Sequence, residues 1–254
     1  MNFSKEISLY MSRHGISSMV PQAFLFDMDG TLYDSMGNHA QAWYDMASEA
    51  GIDSTLEEFY LYEGSTGAAT VNKLFQRAYG RNATDREIKE LYARKAELFR
   101  QMPEPDVMPG ALQLVNYVRN LPWHPLTVLV TGSGQMSLLD RLNSNFEGAF
   151  PSERRITALD VTTGKPSPEP YLKGMALAKV KPQHSIAIEN APLGVMSAHR
   201  SGAFSVAVTT GPIPVDQMLE AGADVVFTPM PQCAQQFPTL IAQLLPDNYN
   251  QSHS

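Results

Sequence analysis

Cysteine is almost absent from this sequence, since Cys233 is the only one among 254 residues. A single cysteine excludes an intrachain disulfide, and nothing in the composition indicates an oxidising compartment. No apolar run approaches the roughly 18 residues that a transmembrane helix needs. Lysine and arginine are never dense enough to form a basic patch, and the net charge is −7, so no nucleic-acid partner is expected. We therefore expect a cytoplasmic monomer that binds neither membrane nor nucleic acid.

The first twenty residues, MNFSKEISLYMSRHGISSMV, mix charges with short apolar pieces. They lack the continuous hydrophobic centre of a signal peptide. We therefore expect residues 1–20 to form a poorly ordered leader.

Short apolar runs separated by helical patterns organise the rest of the chain. The runs are nearly continuous in hydrophobicity, which is typical of strands covered on both faces. They lie at residues 23–26, 126–130, 185–188, 204–208 and 224–227. Helical patterns at 109–121, 168–180 and 191–202 alternate with them. This alternation predicts an α/β fold with a doubly wound, Rossmann-like parallel sheet.

One region interrupts the alternation, because residues 38–101 show helical patterns and no convincing strand. Thr84 and Glu87 have the spacing of a capping box. The proline-rich stretch 102–110 has the composition of a return linker. We predict a core formed by residues 21–36 and 106–254, with an inserted helical cap domain at 37–105.

Two acids, Asp27 and Asp29, stand one residue apart in the stretch FLFDMDGTLYDS, directly after the first predicted strand. Ligands bind beyond the carboxyl ends of such strands. Neighbouring carboxylates repel unless a cation or proton lies between them, and Mg²⁺ accepts carboxylate and phosphate oxygens. A carboxylate can also attack phosphorus and form an aspartyl-phosphate. The alternative is a pair of turn-forming acids, since Asp-Gly is a common turn.

Three further motifs lie later in the chain, and two of them, VTGSG and IAIENAPLG, lie at the ends of predicted strands. VTGSG carries Thr131 and Ser133, and hydroxyls with backbone N–H groups at a helix start can cradle a phosphate. GKPSPEPY carries Lys165, which can neutralise charge on a transferring phosphoryl group. IAIENAPLG presents Glu189 and Asn190, both of which are oxygen ligands. Taken singly, these residues also suit helix N-caps or, for the lysine, exposed surface.

The order and spacing of the four motifs resemble the haloacid-dehalogenase superfamily of phosphotransferases. DMDGTLYDS corresponds to the first motif of that family, VTGS to the second, GKPSPEPY to the third and IENAPLGVMSAHRSGA to the fourth. The helical insertion between the first and second motifs matches the subfamily whose cap is inserted there. Within it, the chain looks closest to β-phosphoglucomutase-like members.

The resemblance implies roles for the core residues. Asp27 would be the nucleophile and a Mg²⁺ ligand. Asp29 would act as general acid and then as general base, and would lend its backbone carbonyl to the metal. Thr131 and Lys165 would bind the phosphoryl oxygens, helped by the amides of Gly132 and Ser133.

Two departures from the family pattern concern the metal and the cap. Glu189 keeps one acidic position of the fourth motif, but Asn190 replaces the usual aspartate, so a weaker metal site is expected. In the cap, Gly67 stands where the mutases keep an arginine for a second phosphate, and Glu63 replaces a basic residue. We hypothesise that Glu63 reaches the metal when the cap closes.

His39 and Lys95 fall where the mutases keep a histidine and a cap lysine, which implies that they bind substrate. Both residues also suit an ordinary role, His39 in packing on an amphipathic helix and Lys95 on a solvated helix face. The sequence leaves these two interpretations open.

The combined pattern favours a Mg²⁺-dependent phosphohydrolase that acts through an aspartyl-phosphate on a small phosphorylated metabolite. Inorganic pyrophosphate is the preferred substrate, because one branch of the subfamily hydrolyses it and the arginine is missing. The alternatives are a β-phosphoglucomutase, a sugar-phosphate phosphatase and a catalytically weak phosphate-binding protein. A receiver-like signalling module needs only ~120 residues and no cap, and the presence of Asp29 disfavours a dehalogenase.

Overall fold

The computed structural model describes residues 1–134, 136–246 and 249. Its strands in chain order are β1 (Ala23–Phe26), β2 (Leu126–Val130), β3 (Arg155–Ile156), β4 (Ser185–Glu189), β5 (Phe204–Val208) and β6 (Val225–Phe227). In the described part of the chain these form a six-stranded sheet in the order β3-β2-β1-β4-β5-β6, and every pair is parallel. The predicted parallel sheet is therefore confirmed.

The described part of the chain has eleven α-helices. They are α1 (Ser4–His14), α2 (Met36–Glu49), α3 (Leu56–Leu61), α4 (Gly67–Tyr79), α5 (Asp85–Gln101), α6 (Ala111–Arg119), α7 (Met136–Asn145), α8 (Glu169–Ala178), α9 (Pro192–Ser201), α10 (Val215–Glu220) and α11 (Met230–Leu244). Phe24 and Phe26 of β1 face the cluster formed with α1, α6, α7 and α11, whereas Leu25 faces α8 and α9. Within the described residues, none of the helices has the length and apolar character to cross a bilayer.

The strand register brings the polar ends of three strands together. Phe26 pairs with Leu129 on one side and with Ile188 on the other. The residues that follow these positions therefore emerge at the same edge of the sheet, beyond the carboxyl ends of β1, β2 and β4. This edge faces the helices inserted after β1.

The edge strand β3 was not expected from the sequence. It contains only two residues, and its pairing to β2 joins Leu129 to Arg155. The guanidinium of Arg155 donates to the carbonyls of Phe150 and Leu139. So short a strand, half of it arginine, carries no hydrophobic alternation that a sequence pattern could show.

Helices α2 to α5 enclose an apolar cluster of their own, which includes Trp43, Phe59 and Leu74. The predicted capping box of Thr84 and Glu87 is present at the start of α5. Two connecting segments join these helices to the sheet and pair with each other, since the amide of Asp34 donates to Asp106 O at 2.9 Å and that of Met108 to Leu32 O at 2.8 Å. The structure has no strand between residues 38 and 101. The domain bounds 37–105 remain a prediction.

The expectation of a poorly ordered leader is wrong, because residues 4–14 form α1. Phe3, Ile7 and Tyr10 are buried, and the Tyr10 hydroxyl donates to Gly202 O at 3.0 Å. Arg13 forms an ion pair with Asp224 at 2.7 Å. The apolar residues recur at helical spacing on one face, and the charges between them fall on the other, so the segment looks mixed when it is read in order.

We predict that replacing Ile7 destabilises the fold although it lies in the expected leader. Ile7→Ala removes a side chain that is 7% exposed, which should lower the free energy of unfolding by about 2–3 kcal/mol. Leu9→Ala is the matched control on the same helix, since Leu9 is 62% exposed and should change stability by less than about 0.5 kcal/mol. Urea denaturation followed by circular dichroism measures both. Equal effects would mean that α1 does not pack on the core.

Candidate active site

A cavity lies between the carboxyl edge of the sheet and helices α2 to α5. Only about 30 Å³ of it is open to the centres of water molecules, enough for about two waters. Its lining includes these residues that the sequence had singled out: Asp27, Asp29, His39, Glu63, Gly67, Lys95, Thr131, Gly132 and Ser133. The remaining lining residues are Trp43, Phe59, Tyr62, Gly64, Ser65, Thr70 and Tyr92. The fold thus brings together most of the predicted site.

The carboxylate of Asp27 is held by a buried ammonium group. Lys165 Nζ lies 2.6 Å from Asp27 Oδ1, 2.5 Å from Glu189 Oε1 and 3.1 Å from Val130 O. Burial raises the pKa of Asp27, although Lys165 opposes that shift. For Lys165 burial acts in the opposite sense, but the carboxylates of Asp27 and Glu189 raise its pKa above the ordinary value. Lys165 therefore stays charged beside Asp27.

Asp29 belongs to a chain of buried, hydrogen-bonded side chains that continues through His39 to Lys95. Its Oδ1 accepts from Ser35 Oγ at 2.7 Å and lies 2.8 Å from His39 Nε2. His39 Nδ1 in turn lies 2.5 Å from Lys95 Nζ. Because the lysine ammonium can only donate, Nδ1 must accept, and the ring proton sits on Nε2 and points at Asp29. The resulting order is Lys95, then neutral His39, then Asp29.

The pKa shifts of His39, Asp29 and Lys95 agree with a neutral His39 ring and an ionised Asp29. Burial and the charge of Lys95 lower the pKa of His39, so its ring is neutral. Burial alone would raise the pKa of Asp29, but the hydrogen bonds of His39 and Ser35 and the charge of Lys95 lower it to about 2. Burial lowers the pKa of Lys95 to about 8, while Glu63 and Asp29 oppose the shift. In this arrangement Asp29 is a carboxylate at neutral pH.

Glu63 enters the cavity from the loop between α3 and α4. Burial and the negative charge of Asp29 raise its pKa well above the ordinary value, and Lys95 opposes the shift. In the described part of the chain, no group of three or more His, Cys, Asp or Glu side chains is arranged to hold a metal ion as it stands. The carboxylates of Asp27, Asp29 and Glu63 nevertheless line one small cavity, and such crowding is relieved by a hard cation. The donor chemistry therefore fits Mg²⁺.

The two fourth-motif residues lie behind the cavity lining. Asn190 Oδ1 accepts from Thr31 Oγ1 at 3.3 Å, and its amide nitrogen lies 2.7 Å from Met36 Sδ. Gly30 has φ +77°, and a Cβ there would overlap the Asn190 amide, which explains the glycine after Asp29. Glu189 is paired with Lys165. The predicted metal roles of Asn190 and Glu189 therefore remain predictions.

Glycines allow the cap loop to touch the core. A Cβ on Gly132 would overlap Gly64 O, and one on Gly164 would overlap the Thr66 side chain. A Cβ on Gly64 would lie 3.2 Å from Lys165 Cδ. The cap is therefore closed over the site, with its backbone against the backbone of the loop that follows β2.

The aromatic part of the lining was missed by the sequence reasoning. Tyr92 lies on α5, three residues before Lys95 and on the same helix face. A Cβ on Gly67 would overlap the Tyr92 ring, and the Tyr92 hydroxyl accepts from the Gly134 amide at 3.3 Å. The spacing of Tyr92 and Lys95 was the available signal, but only the fold shows that both face the cavity. The Tyr92 ring fills the space beside Gly67.

Comparison with known proteins identifies the family of this chain. The family model of the haloacid dehalogenase-like hydrolases matches residues 21–202. The chain therefore belongs to that family and is a hydrolase of it. The resemblance inferred from the four motifs is confirmed at the level of the family.

Two relatives and one solved structure show the range of similar proteins. The validoxylamine A 7'-phosphate phosphatase of Streptomyces hygroscopicus subsp. limoneus is 30% identical over 202 residues, which is 73% of this chain and 84% of that protein. The hexitol phosphatase A of Escherichia coli (strain K12) is 31% identical over 190 residues, or 74% of this chain and 82% of that protein. A structure from Bacteroides vulgatus, provisionally described as a beta-phosphoglucomutase, is 42% identical with a TM-score of 0.91, covering 95% of this chain and 98% of that one.

We predict that a methyl group on Gly132 opens the cap. Gly132→Ala places its Cβ against Gly64 O, so amide hydrogen exchange in residues 62–66 should accelerate by about tenfold, equivalent to roughly 1.4 kcal/mol. Gly134→Ala is the control, because its Cβ would lie 3.4 Å from the Tyr92 hydroxyl, the end of a side chain. Unchanged exchange in Gly132→Ala would contradict the closed arrangement.

Proposed function

We propose that this protein is a Mg²⁺-dependent phosphohydrolase that acts through an aspartyl-phosphate on Asp27, with inorganic pyrophosphate as its substrate. The observation that carries the proposal is the buried Asp27 carboxylate, 2.6 Å from Lys165 Nζ, in a small cavity that it shares with Asp29 and the loop from Thr131 to Ser133. A fixed carboxylate beside a cation and a loop of backbone amides is suited to attack phosphorus.

The reaction has two displacements. A carboxylate oxygen of Asp27 attacks phosphorus, the bond from phosphorus to the leaving oxygen breaks, and phosphate leaves with the electron pair. This leaving group needs no proton from Asp29, which is a carboxylate at neutral pH. Water then attacks the phosphoryl group, gives its proton to Asp29, and the bond from phosphorus to Asp27 breaks to release phosphate. The low pKa of Asp29 keeps this carboxylate unprotonated, so it can accept a proton from water but has none to give to a leaving group. This suits a leaving group such as phosphate, which needs less protonation than a sugar alkoxide.

The family resemblance and the donor chemistry support a magnesium ion at this site. Asp27 and the backbone carbonyl of Asp29 would hold it, with Glu63 and Asn190 as further oxygen donors. When bound, Mg²⁺ supplies positive charge to the phosphoryl oxygens and to the crowded carboxylates. Lys165 keeps Asp27 oriented, and the loop at Thr131 binds the remaining phosphoryl oxygens.

The size and charge of the cavity favour pyrophosphate. Tyr92 occupies the space beside Gly67, so the cap offers neither a cationic clamp nor room for a large leaving group there. Glu63 adds a further oxygen donor to the lining, which a metal that accompanies the substrate can use. Pyrophosphate is compact and binds as a metal complex, and therefore satisfies both conditions.

A sugar phosphate is the second candidate. It is favoured by the relatives at 30% and 31% identity, which are named as phosphatases of validoxylamine A 7'-phosphate and of hexitols. The chemistry at phosphorus would be the same, because specificity in such a fold is set by the cap and not by the core.

We predict that the purified protein releases phosphate from pyrophosphate with a higher kcat/KM than from hexitol, glucose or fructose phosphates, with Mg²⁺ present. Asp27→Asn should lower release by at least about 10³-fold, because the nucleophile is lost. Asp216→Asn, a change of the same type at an exposed residue of α10, should leave release unchanged. Full turnover by Asp27→Asn would refute the mechanism, and a preference for a sugar phosphate would refute pyrophosphate.

We predict that Tyr92 limits substrate size. Tyr92→Ala should raise the ratio of kcat/KM for a hexitol phosphate to that for pyrophosphate by about tenfold, since one excluded contact is worth roughly 1–3 kcal/mol. Tyr92→Phe keeps the ring and serves as the matched control, so its ratio should stay near that of the wild type. An unchanged ratio in Tyr92→Ala would contradict the argument from cavity size.

A further inference from the structure

A tyrosine outside the cavity lining contacts the ion pair that holds Asp27. Tyr171 lies on α8 and is fully buried. Its hydroxyl donates to Glu189 Oε1 at 2.5 Å, the same oxygen that lies 2.5 Å from Lys165 Nζ. The Lys165 ammonium also lies 5.5 Å from the centroid of the Tyr171 ring. One side chain therefore touches both members of the pair.

The Glu189 carboxylate depends on these two contacts. Its other oxygen, Oε2, is buried and has no hydrogen-bond partner in the described part of the chain. Its far side rests on Gly194, where a Cβ would overlap the carboxyl group. A buried carboxylate with so few donors is costly unless each of them is well placed. The Tyr171 hydroxyl is thus half of what fixes its orientation.

The Tyr171 hydroxyl stays protonated near neutral pH and can therefore donate a hydrogen bond. Burial and the charge of Glu189 raise the pKa of Tyr171 well above its ordinary value. A phenylalanine at this position would keep the ring below Lys165 but would leave Glu189 Oε1 with the ammonium alone.

We propose that Tyr171 is a positioning residue for phosphoryl transfer: its hydroxyl orients Glu189, and Glu189 fixes Lys165 beside Asp27. This inference rests on the proposed function. Lys165 has three acceptors, in Asp27, Glu189 and Val130 O, and its direction is set by all of them. Losing the orientation of one acceptor turns the ammonium away from the position where charge develops during transfer.

The test is Tyr171→Phe, measured with pyrophosphate and Mg²⁺. Removing a group that orients an active-site residue commonly costs roughly 10- to 100-fold, and here the loss should fall on kcat with KM little changed, because the interaction matters during transfer and not in binding. Tyr10→Phe is the matched control: Tyr10 is also fully buried, and its hydroxyl donates to Gly202 O at 3.0 Å. It should leave kcat unchanged. A thermal unfolding scan accompanies each variant.

A double-mutant cycle with Glu189→Gln identifies the route of the effect. If Tyr171 acts through Glu189, then Tyr171→Phe should lower kcat by less than about threefold when Glu189 is already glutamine, because coupled neighbours are not additive. The same double-mutant cycle can be applied to the free energy of unfolding in urea. It measures the coupling between Tyr171 and Glu189 in the absence of substrate.

The outcomes separate this inference from the proposed function. A wild-type enzyme that releases phosphate while Tyr171→Phe keeps full kcat refutes the positioning role alone. So does a kcat loss that is equally large in the Glu189→Gln background, or a loss of stability with kcat unchanged. A wild-type protein that releases phosphate from no phosphorylated compound refutes the proposed function and the positioning role together.

Discussion

The site depends on one buried ammonium group. Lys165 Nζ contacts Asp27, Glu189 and the carbonyl of Val130 within 3.1 Å, and these acceptors lie at the ends of three neighbouring strands. Two buried carboxylates at this distance would repel without a cation between them. The ammonium group therefore fixes Asp27 and also links the carboxyl ends of β1, β2 and β4. Removing the lysine would leave two unpaired charges in the interior.

The cap contributes a second buried ammonium group, that of Lys95, which faces acidic side chains as Lys165 does. Lys95 reaches Asp29 through the neutral ring of His39, and Glu63 adds a further carboxylate to the cavity. Asp27, Asp29, Glu63 and Glu189 thus face two ammonium groups, those of Lys165 and Lys95. An excess of carboxylates around a small space suits a divalent cation with a phosphorylated ligand. The same excess disfavours a free anion.

Closure of the cap depends on residues that have no side chain. Gly64 and Gly132 bring the backbones of the cap loop and of the core loop into contact, and Gly67 admits the ring of Tyr92. In the proposed function, the core residues carry the chemistry at phosphorus, whereas the size of the cavity is set where these glycines meet. Specificity and reactivity would then be carried by different elements, joined at a backbone contact.

Much of the fold and of the reactive centre could be predicted from the sequence. Continuous apolar runs gave β1, β2 and β5 with their bounds, because strands buried on both faces are predominantly apolar. Thr127 and Ser205 are the polar residues within them. The positions of Asp27, Asp29, Thr131 and Glu189 at the ends of such runs indicated that they meet at one edge of the sheet. Lys165 was identified from its proline-rich motif and from the family resemblance. The two-residue strand β3 and helix α1 were missed, the first for want of a pattern and the second because its charges lie between its apolar residues.

What the sequence determined by itself was the class of fold and the family, since each depends on local pattern and on order along the chain. Only the tertiary structure decided that Tyr92 fills the space beside Gly67, that Tyr171 supports Glu189, and that Glu63 faces Asp29. These contacts join residues on different elements. Their geometry follows from how helices pack, and no periodicity in the sequence encodes it.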